Sequence, residues 1–293
     1  MATYGDMYLD ARHCLRRANI ENADFEARDI ACTASRKTAE EFLRDRQLPA
    51  PGSVVQKAAR MAARRVKGEP LAYILGEWDF YGLTLAITPA VLIPRPDTEV
   101  LVDWTAAVVR KTIGEREFRC LDLGCGSGCI GIAMAHLFPN ARGVLMDVSP
   151  IAVELAKANV KRYNMLNRLF CVPGDMLEQA DTRVGKFDML LSNPPYITHE
   201  EMLALDPSVR DYEPQGALYG GEDGLDFYRA ILKGWLSLVK DGGFVAFECG
   251  YRQAHDVGRL MKAAGIERIR IVEDTAGIQR VVSGFKKVSE GEI

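Results

Sequence analysis

The chain has 293 residues, 48% of them hydrophobic and 26% charged, a globular balance that can bury a core without disulfides. A formal net charge of −3 argues against nucleic-acid binding by bulk electrostatics. Seven scattered cysteines with no CxxC pair indicate neither a disulfide framework nor a metal site, and with no signal-peptide core and no run of about 18 apolar residues the expected location is cytoplasmic.

Residues 3–72 read as helices. Apolar side chains recur at helical spacing, from Tyr8, Ala11, Leu15 and Ala18 to Val55, Ala58, Ala59, Ala62 and Val66, and five short helices fit. Asn22 or Asp24 is placed to cap the second helix, and Ser53, after Pro49-Ala50-Pro51-Gly52, the next long one. The part is mildly basic, with 13 Lys+Arg against 10 Asp+Glu, while residues 73–293 carry 24 against 30. His13 stands alone on a helix and marks no site. Residues 73–88 alternate apolar and polar about Tyr81-Gly82, which predicts a β-hairpin. Leu92-Ile93-Pro94-Arg95-Pro96-Asp97-Thr98-Glu99 follows as an extended segment, with Asp97 or Thr98 placed to cap a helix to about Lys111.

From residue 118 strands and helices alternate. Strands are expected at 118–123, 143–147, 168–172, 187–192, 243–249, 266–272 and 279–285, and helices at 127–138, 150–163, 226–239 and 252–264. Alternation predicts a parallel sheet with helices on both faces. The turn Asp274-Thr275-Ala276-Gly277 is too short for a crossover, so the last strand is antiparallel.

Two motifs sit at strand ends. Cys120-Leu121-Asp122-Leu123-Gly124-Cys125-Gly126-Ser127-Gly128 leaves the first strand and opens a helix. Its alternate glycines allow a sharp turn and close approach of a ligand. Asp122 would repel a pyrophosphate but suits a ligand carrying ammonium and sulfonium charge. Asp147, ending the second strand, is placed to accept both hydroxyls of a ribose. Gly174-Asp175-Met176 ends the third, where a carboxylate can hold an adenine amino group and Met176 can pack on the ring. Adenosine with a cationic amino-acid tail is S-adenosylmethionine, and a nicotinamide dinucleotide is the rival. The second motif, Asn193-Pro194-Pro195-Tyr196, stops a buried strand with a stiff turn poor in donors. Its free carbonyls, the Asn193 amide and the Tyr196 ring suit a planar group bearing two N–H donors. His199 is read as a loop residue.

The chain resembles the release factor glutamine methyltransferases, the PrmC/HemK family. The matching segments are Gly68 to Gly76, Leu92 to Glu99, Asp122 to Gly128, Asn193 to Tyr196, Tyr212-Glu213-Pro214 with Ala217-Leu218, and Gly220 to Leu225. The resemblance implies a class I methyltransferase, α/β with a Rossmann-like sheet, behind a small helical N-terminal domain. It divides the chain into a substrate-docking domain at 1–72, a hairpin linker at 73–93 and a methyltransferase domain at 94–293. It implies methyl transfer from S-adenosylmethionine, leaving S-adenosylhomocysteine, to the glutamine of the Gly-Gly-Gln motif in bacterial class I peptide chain release factors. Cofactor contacts then fall on Gly124, Cys125, Gly126, Ser127, Gly128, Asp147, Met176 and Asn193, joined by Asp122 and Asp175 from the residues themselves. Substrate contacts fall on Asn193, Pro194, Pro195 and Tyr196, with Asn193, Pro194 and Tyr196 in catalysis. Cys125 stands where the family commonly has threonine, and Met176 where it can carry a larger residue. The asparagine turn is shared with methyltransferases of nucleic-acid amino groups and of ribosomal-protein glutamine, so it specifies planar nitrogen chemistry rather than a substrate. A non-catalytic S-adenosylmethionine-binding module is the alternative of another class. Neither stable nucleic-acid binding nor membrane attachment is expected.

Overall fold

The computed structural model describes residues 1–288. The chain divides into two compact units, Met1–Glu77 with Asp206–Tyr212, and Trp78–Leu205 with Glu213 onward.

The first unit holds α1 (Tyr4–Arg17), α2 (Ala23–Ser35), α3 (Ala39–Asp45), α4 (Gly52–Val66) and α5 (Leu71–Leu75). Capping boxes start α1 and α3. Thr3 Oγ1 accepts the Asp6 N–H at 3.0 Å while the Asp6 carboxylate accepts from Thr3 N at 2.8 Å, and Thr38 and Glu41 repeat the pattern. The helical spacing then buries Leu15, Ile30 and Met61 around Phe42. Two expected caps differ. Asn22 stands at the start of α2 without a side-chain cap bond, and α4 begins at Gly52 after Pro51, which places Ser53 inside its first turn. Residues 73–75, expected in the hairpin, are helical as the end of α5: Pro70 sets the entry, and Gly76 at φ 82° ends the turn left-handed. The downstream segment Asp206–Tyr212 belongs here too, and the Tyr212 hydroxyl donates to Lys67 O at 2.9 Å.

The hairpin is β1 (Glu77–Phe80) with β2 (Leu83–Ala86), and Tyr81 and Gly82 both turn at positive φ, 54° and 72°. After it come α6 (Pro96–Thr112), β3 (Phe118–Leu123), α7 (Cys129–Leu137), β4 (Ala141–Asp147), α8 (Pro150–Arg162), β5 (Leu169–Pro173) and β6 (Phe187–Ser192). Then follow α9 (His199–Ala204), α10 (Pro207–Arg210, within the segment that joins the first unit), α11 (Asp226–Gly234), β7 (Val239–Glu248), α12 (Ala254–Ala263), β8 (Ile266–Glu273) and β9 (Gln279–Lys286). Strands β3 to β9 form one seven-stranded sheet in the order β5-β4-β3-β6-β7-β9-β8. The pairs among β3 to β7 are parallel, and β9 is antiparallel to both neighbours, as the short turn requires. Two boundaries move. Arg95 precedes α6 and Pro96 opens it, so Asp97 and Thr98 lie in the first turn rather than at the cap. α11 ends at Gly234, where Trp235 turns inward and donates to the carbonyls of Met176 and Glu178.

Sheet growth reverses at β3: β4 and β5 add on one side, β6 and β7 on the other. The carboxyl ends of β3 and β6 therefore meet at a switch point, the place where open α/β sheets bind ligands. Leu123 pairs with Ser192, and the Ser192 hydroxyl donates to Leu123 O at 2.7 Å. The residues that follow, Gly124 and Asn193, are thereby brought side by side. Among the described residues no helix is long and apolar enough to cross a membrane.

Candidate active site

At this switch point lies a cavity of about 310 Å³. Of the expected cofactor residues, Gly124, Cys125, Gly126, Ser127, Asp147, Asp175, Met176 and Asn193 line it. The glycine loop is held by backbone geometry. Gly124, Gly126 and Gly128 take φ of 68°, 52° and 82°, and a Cβ on Gly124 would lie 2.6 Å from the Met176 methyl. Asp147 spans the loop mouth: one carboxylate oxygen accepts from Gly126 N and the other from Ser149 N, each at 2.9 Å. Each oxygen keeps a further lone pair for a hydroxyl. Asp175 accepts from Leu177 N at 2.8 Å, and Trp235 holds the carbonyls of the same loop.

Two expected contacts sit elsewhere. Gly128 lies behind the loop, where a Cβ would press at 3.1–3.3 Å on Ile132, Leu145 and Ala156, so this glycine serves helix–strand packing. Asp122 does not face the cavity. It is 1% exposed and accepts the Gly131 N–H at 3.0 Å, because strand alternation turns it under α7. Burial pushes its carboxyl up to about 7, with Asp147 adding to the rise, and its Oδ1 has no partner.

The asparagine turn enters the cavity through Asn193 and Pro195, whereas Pro194 and Tyr196 lie outside the lining. Asn193 Nδ2 donates to Thr98 Oγ1 at 3.1 Å. The Tyr196 ring packs on the core and its hydroxyl reaches Glu248 Oε1 at 3.4 Å, instead of projecting into the cavity to cover an amide plane. Glu248 ends β7, buried. Burial pushes its carboxyl up to about 7, Asp97 adds to this, and Thr98, Arg280 and Tyr196 oppose it. Arg280 on β9 pairs with Asp97 at 2.9 Å and Asp274 at 3.1 Å.

The wall opposite the glycine loop is the extended segment before α6, with Leu92 and Pro94 on the cavity. Buried Glu213 holds this wall: it accepts from Ile93 N at 3.1 Å and pairs with Arg95. Glu99 accepts from Tyr81 N at 2.7 Å. Asn159 on α8, fully buried, joins the end of the hairpin to the glycine loop by bonding Ala86 N and O and Ser127 O. Thr98, Glu213, Trp235 and Glu248, with Asn159, are thus site residues that sequence reasoning missed. Thr98 and Glu213 lie in the quoted segments, but the other three carry no local signal.

A glycine loop on one side of the switch strand pair and an asparagine turn on the other define the class: this is a class I methyltransferase. The chain matches the PrmC N-terminal domain over residues 6–76 and the methyltransferase small domain over residues 99–207. It is 42% identical to the release factor glutamine methyltransferase of Geobacter sulfurreducens over 76% of each chain. It is 35% identical to that of Caulobacter vibrioides, over 96% of this chain and 95% of that one. A methyltransferase of Pyrococcus furiosus shares the fold at 19% identity and TM-score 0.52, covering 78% of this chain and all of that one. The chain belongs to the release factor glutamine methyltransferase family.

Proposed function

We propose that the chain binds S-adenosylmethionine in this cavity and methylates the side-chain amide nitrogen of the glutamine in the Gly-Gly-Gln motif of class I release factors. The donor set fits the cofactor. Asp147 keeps acceptor capacity for ribose hydroxyls, and Asp175 has a second carboxylate oxygen for an amino group. Met176, Val148 and Leu177 offer apolar cover to a ring. Ser127 Oγ, buried on the lining without a hydrogen bond of its own, fits the ligand's amino-acid end. When bound, S-adenosylmethionine supplies a methyl carbon activated by sulfonium charge.

The observation that carries the reading is the pose of Asn193. Its nitrogen is occupied by Thr98, which leaves its oxygen to accept. A glutamine amide nitrogen is a poor nucleophile because its lone pair is delocalised. With Asn193 Oδ1 accepting one amide hydrogen and the Pro194 carbonyl the other, the nitrogen is held and its lone pair aimed. Orientation is the main lever, and the two acceptor dipoles stabilise the positive charge that develops on nitrogen. The proton then leaves to water. Tyr196 contributes by locking the turn rather than by touching the amide. Residues 1–72 serve as a docking domain, 73–93 as the linker and 94–293 as the catalytic domain. A substrate of the translation machinery places the reaction in the cytoplasm.

The test is transfer of labelled methyl to a purified release factor, beside a variant with the target glutamine replaced and beside tRNA, rRNA, DNA and ribosomal protein. Label should enter only the intact release factor, and Asn193→Ala should slow it about a hundred- to a thousandfold. Label in nucleic acid or ribosomal protein but not in the release factor would overturn the reading.

A further inference from the structure

The asparagine turn has little means of holding itself. Pro194 and Pro195 carry no N–H, so the middle of the turn cannot donate a backbone hydrogen bond. Its start is fixed by the sheet: Ser192 pairs with Leu123 on one side and Phe247 on the other, and its hydroxyl donates to Leu123 O at 2.7 Å. Its far end has left the ladder, and what holds it there comes from elsewhere in the chain.

That hold is the side chain of Gln253, 57 positions after Tyr196, in the turn between β7 and α12. Gln253 Nε2 donates to Tyr196 O, the last carbonyl of the turn, at 2.9 Å, and lies 3.5 Å from Gly224 O. Gln253 Oε1 accepts from Gly250 N at 3.0 Å. Both ends of the carboxamide thus meet backbone groups of fixed character. Turned over, its oxygen would face carbonyls and its NH2 an N–H, so one orientation is selected. The Tyr196–Ile197 peptide is gripped on its other side too, where Ile197 N donates to Leu218 O at 2.9 Å. Space for the carboxamide is kept by glycines. A Cβ on Gly250 would lie 2.7 Å from Gln253 Oε1 and 2.9 Å from Tyr196 Cδ2, and one on Gly224 would overlap both Tyr196 O and Gln253 Nε2. The main chain aims the side chain: Gln253 N donates to Gly250 O at 3.1 Å, and Arg252 between them takes φ of 70°, a left-handed value uncommon for a residue with a side chain.

We propose that Gln253 is a positioning residue: its carboxamide clasps the exit of the asparagine turn and so holds the Asn193 side chain and the Pro194 carbonyl on the substrate amide. Its effect on catalysis rests on the functional reading, whereas the clasp can be measured without it. With Ser192 fixed at one end, the Tyr196–Ile197 peptide at the other, and both proline φ angles set by their rings, little torsional freedom remains between. Without the clasp the exit is free and the acceptors drift, and a misplacement of about 1 Å costs on the order of a hundredfold in rate. Gln253, Gly250 and Gly224 lie outside the cavity lining, so cofactor binding is spared.

Two substitutions in the full-length chain separate the bonds. Gln253→Glu keeps the shape and an acceptor for Gly250 N but sets a carboxylate oxygen against Tyr196 O. Gln253→Met, uncharged and of similar length, removes both bonds. Amide hydrogen exchange followed by nuclear magnetic resonance reads the clasp. The Ile197 amide should exchange at least about tenfold faster in both variants, and the Gly250 amide faster only in Gln253→Met. Cys249 N and Val257 N, bonded to Arg280 O and Gln253 O through backbone alone, should exchange as in the wild type. Steady-state methylation of a Gly-Gly-Gln peptide should show kcat lowered about ten- to a hundredfold in both variants, with affinity for S-adenosylmethionine by calorimetry kept within about threefold. An Ile197 amide as protected as in the wild type would overturn the proposal, as would an unchanged kcat, or cofactor affinity that falls in step with kcat. So would exchange at Cys249 and Val257 that speeds up as much as at Ile197, because the whole corner between β7 and α12 would then have loosened. If the carboxylate of Gln253→Glu prevents folding, Gln253→Met supplies both readouts. A wild type that methylates neither peptide nor release factor would sink the functional reading alone, and exchange at Ile197 would still decide the clasp.

Discussion

Two aspartates of the glycine-loop region look alike in sequence and do opposite work. Asp147 lines the cavity and its oxygens, already fixed by Gly126 and Ser149, are preorganised acceptors. Removing them in Asp147→Ala should weaken S-adenosylmethionine binding about ten- to a hundredfold by calorimetry, the loss of charge-assisted hydrogen bonds of roughly 1.5–3 kcal/mol. Unchanged affinity would remove Asp147 from the ribose site. Asp122 is buried beneath the loop with its carboxyl raised to about 7 from 3.8. Because the folded state holds that proton more tightly than the unfolded state, its contribution is full below about 3.8 and is lost as pH rises through about 7. Asp122→Asn removes the titration. Its melting temperature relative to wild type should rise by roughly 2–8 °C between pH 5 and pH 8, and a difference independent of pH would contradict the buried, raised carboxyl.

At the scale of elements, the glycine-rich stretch after the asparagine turn is a buttress. Ile197 N donates to Leu218 O and Gly220 N to Ile197 O, both at 2.9 Å, which lays the loop against the turn. A Cβ on Gly220 would lie 2.6 Å from Pro195 O and from Tyr196 Cα, and one on Gly224 2.2 Å from Tyr196 O. These contacts are with backbone, which cannot rotate away. Gly220→Ala should therefore displace the turn. It should cost roughly 1–3 kcal/mol of stability and lower kcat well beyond any change in S-adenosylmethionine affinity, measured by urea unfolding, kinetics and calorimetry. A variant with wild-type kcat would mean that the loop does not position the turn. Glycines and strands were legible in the sequence here because their signals are local. The hold on the segment before α6 was not, because the Arg95–Glu213 pair and the bond from Ile93 N to Glu213 reach across about 120 positions.

For the whole molecule, the helical unit is not a simple N-terminal piece. The chain returns to it at Asp206–Tyr212, so this segment interrupts the second unit's sequence. Removing residues 1–77 would strip that segment of its partners, and charge reversal is the cleaner probe of docking. Arg17, Arg36 and Arg60 are exposed on the mildly basic unit. If the unit holds a distant surface of the release factor, it raises the effective concentration of the target loop. The triple change to glutamate should then lower kcat/KM for the intact release factor by roughly tenfold and leave a short Gly-Gly-Gln peptide unaffected. Equal effects on both substrates, or on neither, would make these helices a structural cap.

The parallel sheet, its antiparallel last strand, the glycine loop and the asparagine turn follow from the sequence alone. Each is written in contiguous residues: apolar runs of strand length, glycines where φ must be positive, and prolines where a strand must stop. The tertiary structure alone decided which way each functional group faces. It turned Asp122 under α7, sent the Tyr196 hydroxyl to Glu248, and gave Asn193 its orientation through Thr98, a residue 95 positions away. Hydrogen-bond partners of buried polar groups are chosen by what the fold brings within about 3 Å, and no local pattern in the chain encodes that.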